Sequence, residues 1–233
     1  MTTSVSETTY TSMKTNSPNH IKTKSKAKTI YLCRHAETEE NIRMNHLRKA
    51  GHSIKSLKPP NPTDVFLGCQ FLGMVLIGRT NSIVSANGTN QIQEMQKIVL
   101  QHQLTPKIKK VAHSPLIRAK ETCYGVFDLD HHMNIPIIPL DCLREVTPFE
   151  FVFAGRTQVK RRIQELYKWI KEQEEDTIAI VGHSEYFLIM LGLEEKFKNC
   201  DVWKATFCDG KWTNLELQHR LNGDGSNVID VPY

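Results

Sequence analysis

The chain has 233 residues, 39% of them hydrophobic and 24% charged, which is enough for one sizeable core and too short for two comfortable domains. Its net charge of +5 does not mark a polyanion-binding body. Lys14, Lys22, Lys24, Lys26 and Lys28 stand against Glu7 alone in the first 28 residues, so the excess belongs to the tail and nucleic-acid binding is not expected of the rest.

Residues 1–27 are rich in Ser and Thr with scattered Lys, Asn and Pro18, and carry no apolar run able to pack; a disordered tail is expected. A secretory signal needs an apolar core of about 7–15 residues, which is absent before Ile30, and the stretch lacks the arginines of a mitochondrial presequence. The default location is cytoplasmic. Thr29–Cys33 reads as the first buried strand, and Arg34-His35 leaves its end together.

Residues 42–80 contain Gly51 and Pro59-Pro60-Asn61-Pro62 and few periodic positions, so they read as a long insertion with one buried segment near Phe66–Ile77. The densest apolar run, Phe71–Gly78, is under half of the roughly 20 residues that span a bilayer, and no membrane contact is expected. Gly88–Leu104 has helical spacing through Ile92, Met95, Ile98 and Val99. Lys110–His113 is a short strand, and Ser114-Pro115 reads as a helix start with Ser as N-cap and Pro at the first helical position. Ile135–Leu140 is a strand. Val159, Ile163, Leu166 and Ile170 step by four, three and four along a helix. Thr177–Val181 is a continuous apolar strand that ends at Gly182-His183-Ser184 before a helix over Glu185–Leu193. Asp209-Gly210 between Val202–Phe207 and Trp212–Leu217 signals a hairpin.

This alternation predicts an α/β fold, a three-layer αβα sandwich around a mainly parallel sheet with a C-terminal β-hairpin, preceded by the tail. Six cysteines, Cys33, Cys69, Cys123, Cys142, Cys200 and Cys208, form no Cys-x-x-Cys pair and suggest neither a zinc cluster nor a disulfide framework. His131-His132 is read as a polar loop.

Three strand ends carry polar groups of one kind: Arg34-His35, His113-Ser-Pro-Leu-Ile-Arg118 and Gly182-His183-Ser184. In a parallel sheet such ends share an edge, so residues over a hundred positions apart can line one pocket. Guanidinium groups grip phosphate in a bidentate way, and an imidazole held neutral at one nitrogen can attack phosphorus with the other. Phosphoryl transfer is the chemistry this set suits.

These residues resemble the histidine phosphatase superfamily, which includes the cofactor-dependent phosphoglycerate mutases and many small phosphatases. The resemblance spans about Lys28 to Leu193. It rests on Leu32-Cys-Arg-His-Ala-Glu-Thr-Glu-Glu-Asn41, Gly88 with Gln91 after it, Ala112-His-Ser-Pro-Leu-Ile-Arg-Ala-Lys-Glu-Thr122, Leu143-Arg-Glu145 and Val181-Gly-His-Ser184. It implies His35 as the phosphorylated nucleophile, and Arg34, Arg118 and His183 around the phosphate. Glu145 is implied as general acid and then base, with Glu150 as a competing carboxylate nearby. Asn41 is implied as a phosphate contact, or simply a helix cap, and Ser184 as a backbone N–H donor at a helix start. No cofactor and no metal are implied, since the cationic and imidazole groups occupy the place a metal has around phosphate.

Two departures stand out. Ala36 replaces the glycine that often follows the nucleophile, and Asn81–Gly88 replaces the usual stretch before the second helix. The distribution of length is more informative. Glu145 and His183 lie 183 − 145 = 38 positions apart, without room for the cap a glycolytic mutase carries there, whereas 88 − 35 = 53 positions separate His35 from Gly88. The expected activity is a phosphatase acting on a small phosphorylated substrate through phosphohistidine. A mutase-type phosphotransferase and a catalytically silent phospho-ligand or partner-binding protein are the alternatives.

Overall fold

The computed structural model describes residues 26–76, 81–132, 134–147, 150, 157–221 and 228–229. The tail to residue 25, and residues 77–80 at the end of the expected insertion, lie outside the described residues. Seven strands, β1 (Lys28–Arg34), β2 (Lys110–His113), β3 (Ile137–Pro139), β4 (Thr177–Gly182), β5 (Val202–Cys208), β6 (Lys211–His219) and β7 (Val228–Ile229), form one sheet. Its order is β3-β2-β4-β1-β5-β6-β7. Pairing is parallel from β3 to β1 and antiparallel from β1 outward, so the sheet is mixed, and the hairpin extends its second half. Asp209 and Gly210 turn that hairpin with φ of 53° and 85°, the pair of left-handed residues a two-residue turn requires.

The helices are α1 (Glu39–Lys55), α2 (Pro62–Leu76), α3 (Ala86–Gln101), α4 (Ile117–Val126), α5 (Thr157–Glu172) and α6 (Ser184–Leu191). Strand alternation splits the core into two layers. Ile30, Leu32, Ile178 and Ile180 pack on one face against Val159, Ile163, Leu166 and Ile170 of α5 and Tyr186, Phe187 and Leu191 of α6. Tyr31, Cys33, Ala179 and Val181 face the other way, onto Met95 and Val99 of α3 and Ala119, Cys123 and Val126 of α4. The stepping of Val159 to Ile170 read from the sequence is thus the buried stripe of α5.

Two expectations change. Residues 42–76 are not an irregular insertion but two helices that pack chiefly on each other. Gly68 admits the α1 backbone so closely that a Cβ there would lie 2.9 Å from Leu47 Cα. The stretch expected to be buried is largely open on its other side, with Phe66 63% and Leu72 46% exposed, since the sheet faces are already covered by α3 and α4 and by α5 and α6. The second change concerns Ser114-Pro115: α4 begins at Ile117 with Leu116 as N-cap. The Ser114 hydroxyl meets His183 at 2.8 Å and also accepts the Leu116 N–H at 3.4 Å, and Asn81 Oδ1 accepts the Ile117 N–H at 2.8 Å.

The loop after β1 is fastened to the start of α3. Ser85 caps α3 through the Gly88 N–H, and its own N–H donates to the Glu37 carbonyl at 3.0 Å. Gln91 Oε1 accepts the Glu37 N–H at 2.9 Å. Gly88 is required here by proximity, since a Cβ would stand 2.1 Å from the Glu37 carbonyl oxygen. Gly88→Ala is therefore expected to lower stability by about 1–3 kcal/mol, measured by urea denaturation. A variant as stable as the parent would show that the loop can shift at little cost.

Candidate active site

Register brings the strand ends together: Arg34 lies beside Gly182 and His113 beside Val181. The side chains that follow β1 and β4 therefore meet at one edge. The His35 and His183 rings stand 5.1 Å apart, centroid to centroid, at 63°, and are 3% and 0% exposed. Arg118 on the first turn of α4 is also buried, and Arg34 ends β1 nearby.

His35 is held three ways. Its backbone N–H donates to the Gly182 carbonyl at 3.0 Å, and its own carbonyl accepts from Asn199 Nδ2 at 3.0 Å. Nδ1 lies 2.6 Å from the Ala36 carbonyl oxygen. A carbonyl can only accept, so Nδ1 carries the proton and Nε2 of the neutral ring keeps its lone pair. Burial, followed by the guanidinium groups of Arg118 and Arg34, holds the imidazole well below its usual titration range. Ala36 is not among the residues with positive φ, so alanine in place of glycine brings no left-handed strain.

His183 Nε2 pairs with Ser114 Oγ at 2.8 Å, and its buried Nδ1 has no hydrogen-bond partner among the described residues. Burial and then His35, Arg118 and Arg34 keep this ring neutral as well. Glu145 Oε2 approaches His183 Nδ1 to 3.8 Å, while Glu145 Oε1 accepts the Val146 N–H at 2.9 Å. Burial pushes the Glu145 carboxyl up to about 7, against the pull of that N–H and of Arg118 and Arg34. Glu150 is differently placed. Arg162 pairs with it at 2.8 Å and Thr147 donates backbone N–H to it at 2.9 Å. Although burial works against ionisation, these contacts hold Glu150 below the usual carboxylate range. Of the two carboxylates, Glu145 faces the histidines.

Arg34 donates to the Phe197 carbonyl at 2.6 Å and leaves its buried Nε without a partner among the described residues. Arg118 meets Glu40 at 3.6 Å. Burial raises the Glu40 carboxyl above its usual range, against the attraction of Arg118. Asn41 is the third residue of α1 and completes a capping box: its Oδ1 accepts the Thr38 N–H at 3.2 Å, and its N–H donates to Thr38 Oγ1 at 3.1 Å. Ser184 opens α6 immediately after His183.

Motif reading did not single out Ser114 as a partner of His183, Thr122 Oγ1 as acceptor of the Ala36 N–H at 2.9 Å, or the contacts from Phe197 and Asn199. Ser114 and Thr122 lay inside a quoted motif. Phe197 and Asn199 follow α6 without any local signal.

His35, Glu145 and His183 place ligand-type atoms within 4.8 Å of one another, the one such group among the described residues. The guanidinium groups of Arg118 and Arg34 lie close enough to act on both imidazoles, and their positive charge opposes a further cation there.

No protein-family model matches the chain. It is 23% identical over 271 residues to Arabidopsis thaliana phosphoglycerate mutase-like protein 1, covering 89% of this chain and 87% of the relative. A phosphoglycerate mutase from Bacillus anthracis superposes with a TM-score of 0.51 at 14% identity, covering 82% of this chain and 92% of the other. In fold the chain is similar to a phosphoglycerate mutase. The sheet of that fold presents the two histidines from its adjacent strands β1 and β4.

The imidazole of His35 is expected to carry its proton on Nδ1 at pH 7, read from ring ¹⁵N chemical shifts. A charged ring or a proton on Nε2 would contradict the site as described. Ser114→Ala removes the partner of a fully buried ring nitrogen and is expected to destabilise by about 1–3 kcal/mol, measured by thermal or chemical denaturation against the parent.

Proposed function

We propose that the chain is a phosphatase that hydrolyses a small phosphomonoester through a phosphohistidine on His35. The observation that carries this reading is a neutral, buried imidazole whose Nε2 is left with its lone pair beside two guanidinium groups, a second neutral imidazole and a carboxyl raised to about 7. Each part has a use at phosphorus.

In the first step His35 Nε2 forms the N–P bond while the ester P–O bond breaks. Arg34, Arg118 and His183 face the equatorial oxygens, where fixed donors lower the barrier without reorganisation. The orphaned Arg34 Nε is a donor an anion would satisfy. Protonated Glu145 gives its proton to the departing oxygen, and a pKa near neutrality suits that task. In the second step the Glu145 carboxylate takes a proton from water as water attacks phosphorus and the N–P bond breaks. The amide group of Asn41 and the backbone N–H of Ser184 are further contacts at the rim, Asn41 beside its capping role.

Hydrolysis is favoured over phosphate transfer by the chain between Glu145 and His183. After α5 and β4 are accounted for, only residues 146–156 remain ahead of α5, too few for a cap that retains a phosphorylated product until it is rephosphorylated. A catalytically silent binding role does not explain why a carboxyl near neutrality faces the pair of histidines.

Hydrolysis of an aryl phosphate tests the reading. His35→Ala is expected to abolish turnover and to prevent acid-labile, base-stable labelling from a radioactive substrate. Arg118→Ala should lower kcat by about 10²–10³. An inactive but folded parent chain would remove the proposal.

The pH profile follows from Glu145. Its acid form is lost as pH rises through about 7, so the phosphorylation step slows above that pH, approaching tenfold per unit. Glu145→Gln should flatten this limb and slow the reaction by about 10²–10⁴. A Glu145→Gln profile unchanged in shape would assign the limb to another group.

A further inference from the structure

We propose that the turn end of the α1–α2 hairpin seats on an anionic lipid surface. The inference is independent of the phosphatase reading, and it replaces the expectation from hydropathy that the chain makes no membrane contact.

The two helices pack on each other, with Asp64 held by His46 at 2.6 Å and Gly68 against Leu47. At 1.5 Å per residue α1 carries its far end about 25 Å from the rim of the active site, where Glu40 meets Arg118. At that far end four apolar side chains face solvent: Ile54 at 62% exposure and Leu57 at 96% where α1 ends, and Val65 at 40% and Phe66 at 63% where α2 begins.

Leu57 shows that this exposure is built in. Ser56 caps α1, the Leu57 N–H donates to the Ile54 carbonyl, and the Lys58 N–H reaches back to the Ser53 carbonyl at 2.9 Å. That closure places Leu57 at φ 56°, the left-handed position glycine usually fills. A leucine there is strained and buries almost nothing within the chain. Its side chain gains contacts only from something outside.

The charge of the hairpin is mainly positive. Residues 42–76 hold five lysines and arginines, Arg43, Arg48, Lys49, Lys55 and Lys58, against one carboxylate, Asp64. Among the described residues of the hairpin, Arg43 pairs with Glu39, and His46 Nδ1 lies 2.6 Å from Asp64 Oδ1. Arg48, Lys49, Lys55 and Lys58 are exposed, and Lys55 and Lys58 adjoin Ile54 and Leu57 in the chain. Lysine and arginine around projecting aliphatic and aromatic residues match an anionic bilayer interface, which draws the charges and accepts the apolar groups among its headgroups. A protein partner would need a groove shaped to a projecting turn; a fluid interface needs none. α2 has 15 residues, and no described helix is long and apolar enough to cross a membrane, so the contact is interfacial.

Co-sedimentation of the full chain with vesicles is the test, using phosphatidylcholine alone and phosphatidylcholine with about 30% phosphatidylserine. Binding is expected to the anionic vesicles only and to weaken as salt screens the basic groups. The decisive variant is Leu57→Gly with Phe66→Ser. Leu57→Gly relieves the left-handed strain, so melting temperature and aryl-phosphate hydrolysis should be preserved while vesicle affinity falls about tenfold or more. Equal binding of parent and variant would assign the affinity to the lysines of the tail and overturn the proposal. Failure of the parent to bind anionic vesicles would overturn it too, whether or not the same end captures an acidic protein.

Discussion

The hydrogen bond between His35 Nδ1 and the Ala36 carbonyl, 2.6 Å long, decides what this site can do. It selects the tautomer that leaves Nε2 nucleophilic, and it works only while the Ala36 carbonyl keeps its direction. The next residues show how that is secured. The Ala36 N–H is tied to Thr122 on α4, the Glu37 N–H to Gln91 on α3, and the Glu37 carbonyl to the Ser85 N–H. Two helices on one face of the sheet thus set the protonation geometry of a ring at its edge. Gly88 belongs to the same device, because any side chain there would push the Glu37 carbonyl away.

Around that ring the electrostatics run in opposite directions for opposite reasons. Burial and two guanidiniums both disfavour a proton on His35 and His183, so the two effects add and the rings stay neutral. For Glu145 they oppose each other: burial favours the neutral acid and the guanidiniums favour the carboxylate, with burial prevailing. One pocket therefore holds two bases without their protons and one acid able to keep its own. The contrast with Glu150, ionised by Arg162 and Thr147, shows that the peptide surroundings rather than residue type separate the two glutamates.

The sheet and its helices were legible because strand and helix periods are carried by large apolar residues, as in Ile178–Val181 and the Val159–Ile170 stripe. The residues around the histidines were legible through motifs at strand ends, and parallel register places those ends together. Ser114 was only half legible because the Ser-Pro pattern describes a local cap, whereas its hydroxyl, besides accepting the Leu116 N–H, answers to a histidine 69 positions away. The α1–α2 hairpin was missed because its helices satisfy each other, and several apolar residues that would mark a core stripe, Ile54, Val65, Phe66 and Leu72 among them, are exposed. Asn199 and Phe197 had no readable signal at all: one uses its amide and the other its backbone carbonyl, reached only through the path of the chain after α6.

The pairing of β1 with β4 also governs when the molecule comes into being. Thr29 lies beside Thr177, and the other edge of β1 is covered by β5, which is later still. At about 5–20 residues per second on the ribosome, β1 waits roughly 7–30 s for its parallel neighbour. During that interval a run of Ile, Tyr, Leu and Cys has both edges open and neither face complete. The earliest strand of the sheet thus waits for two of the later ones, and a nascent chain ending before β4 carries it as an unpaired apolar segment.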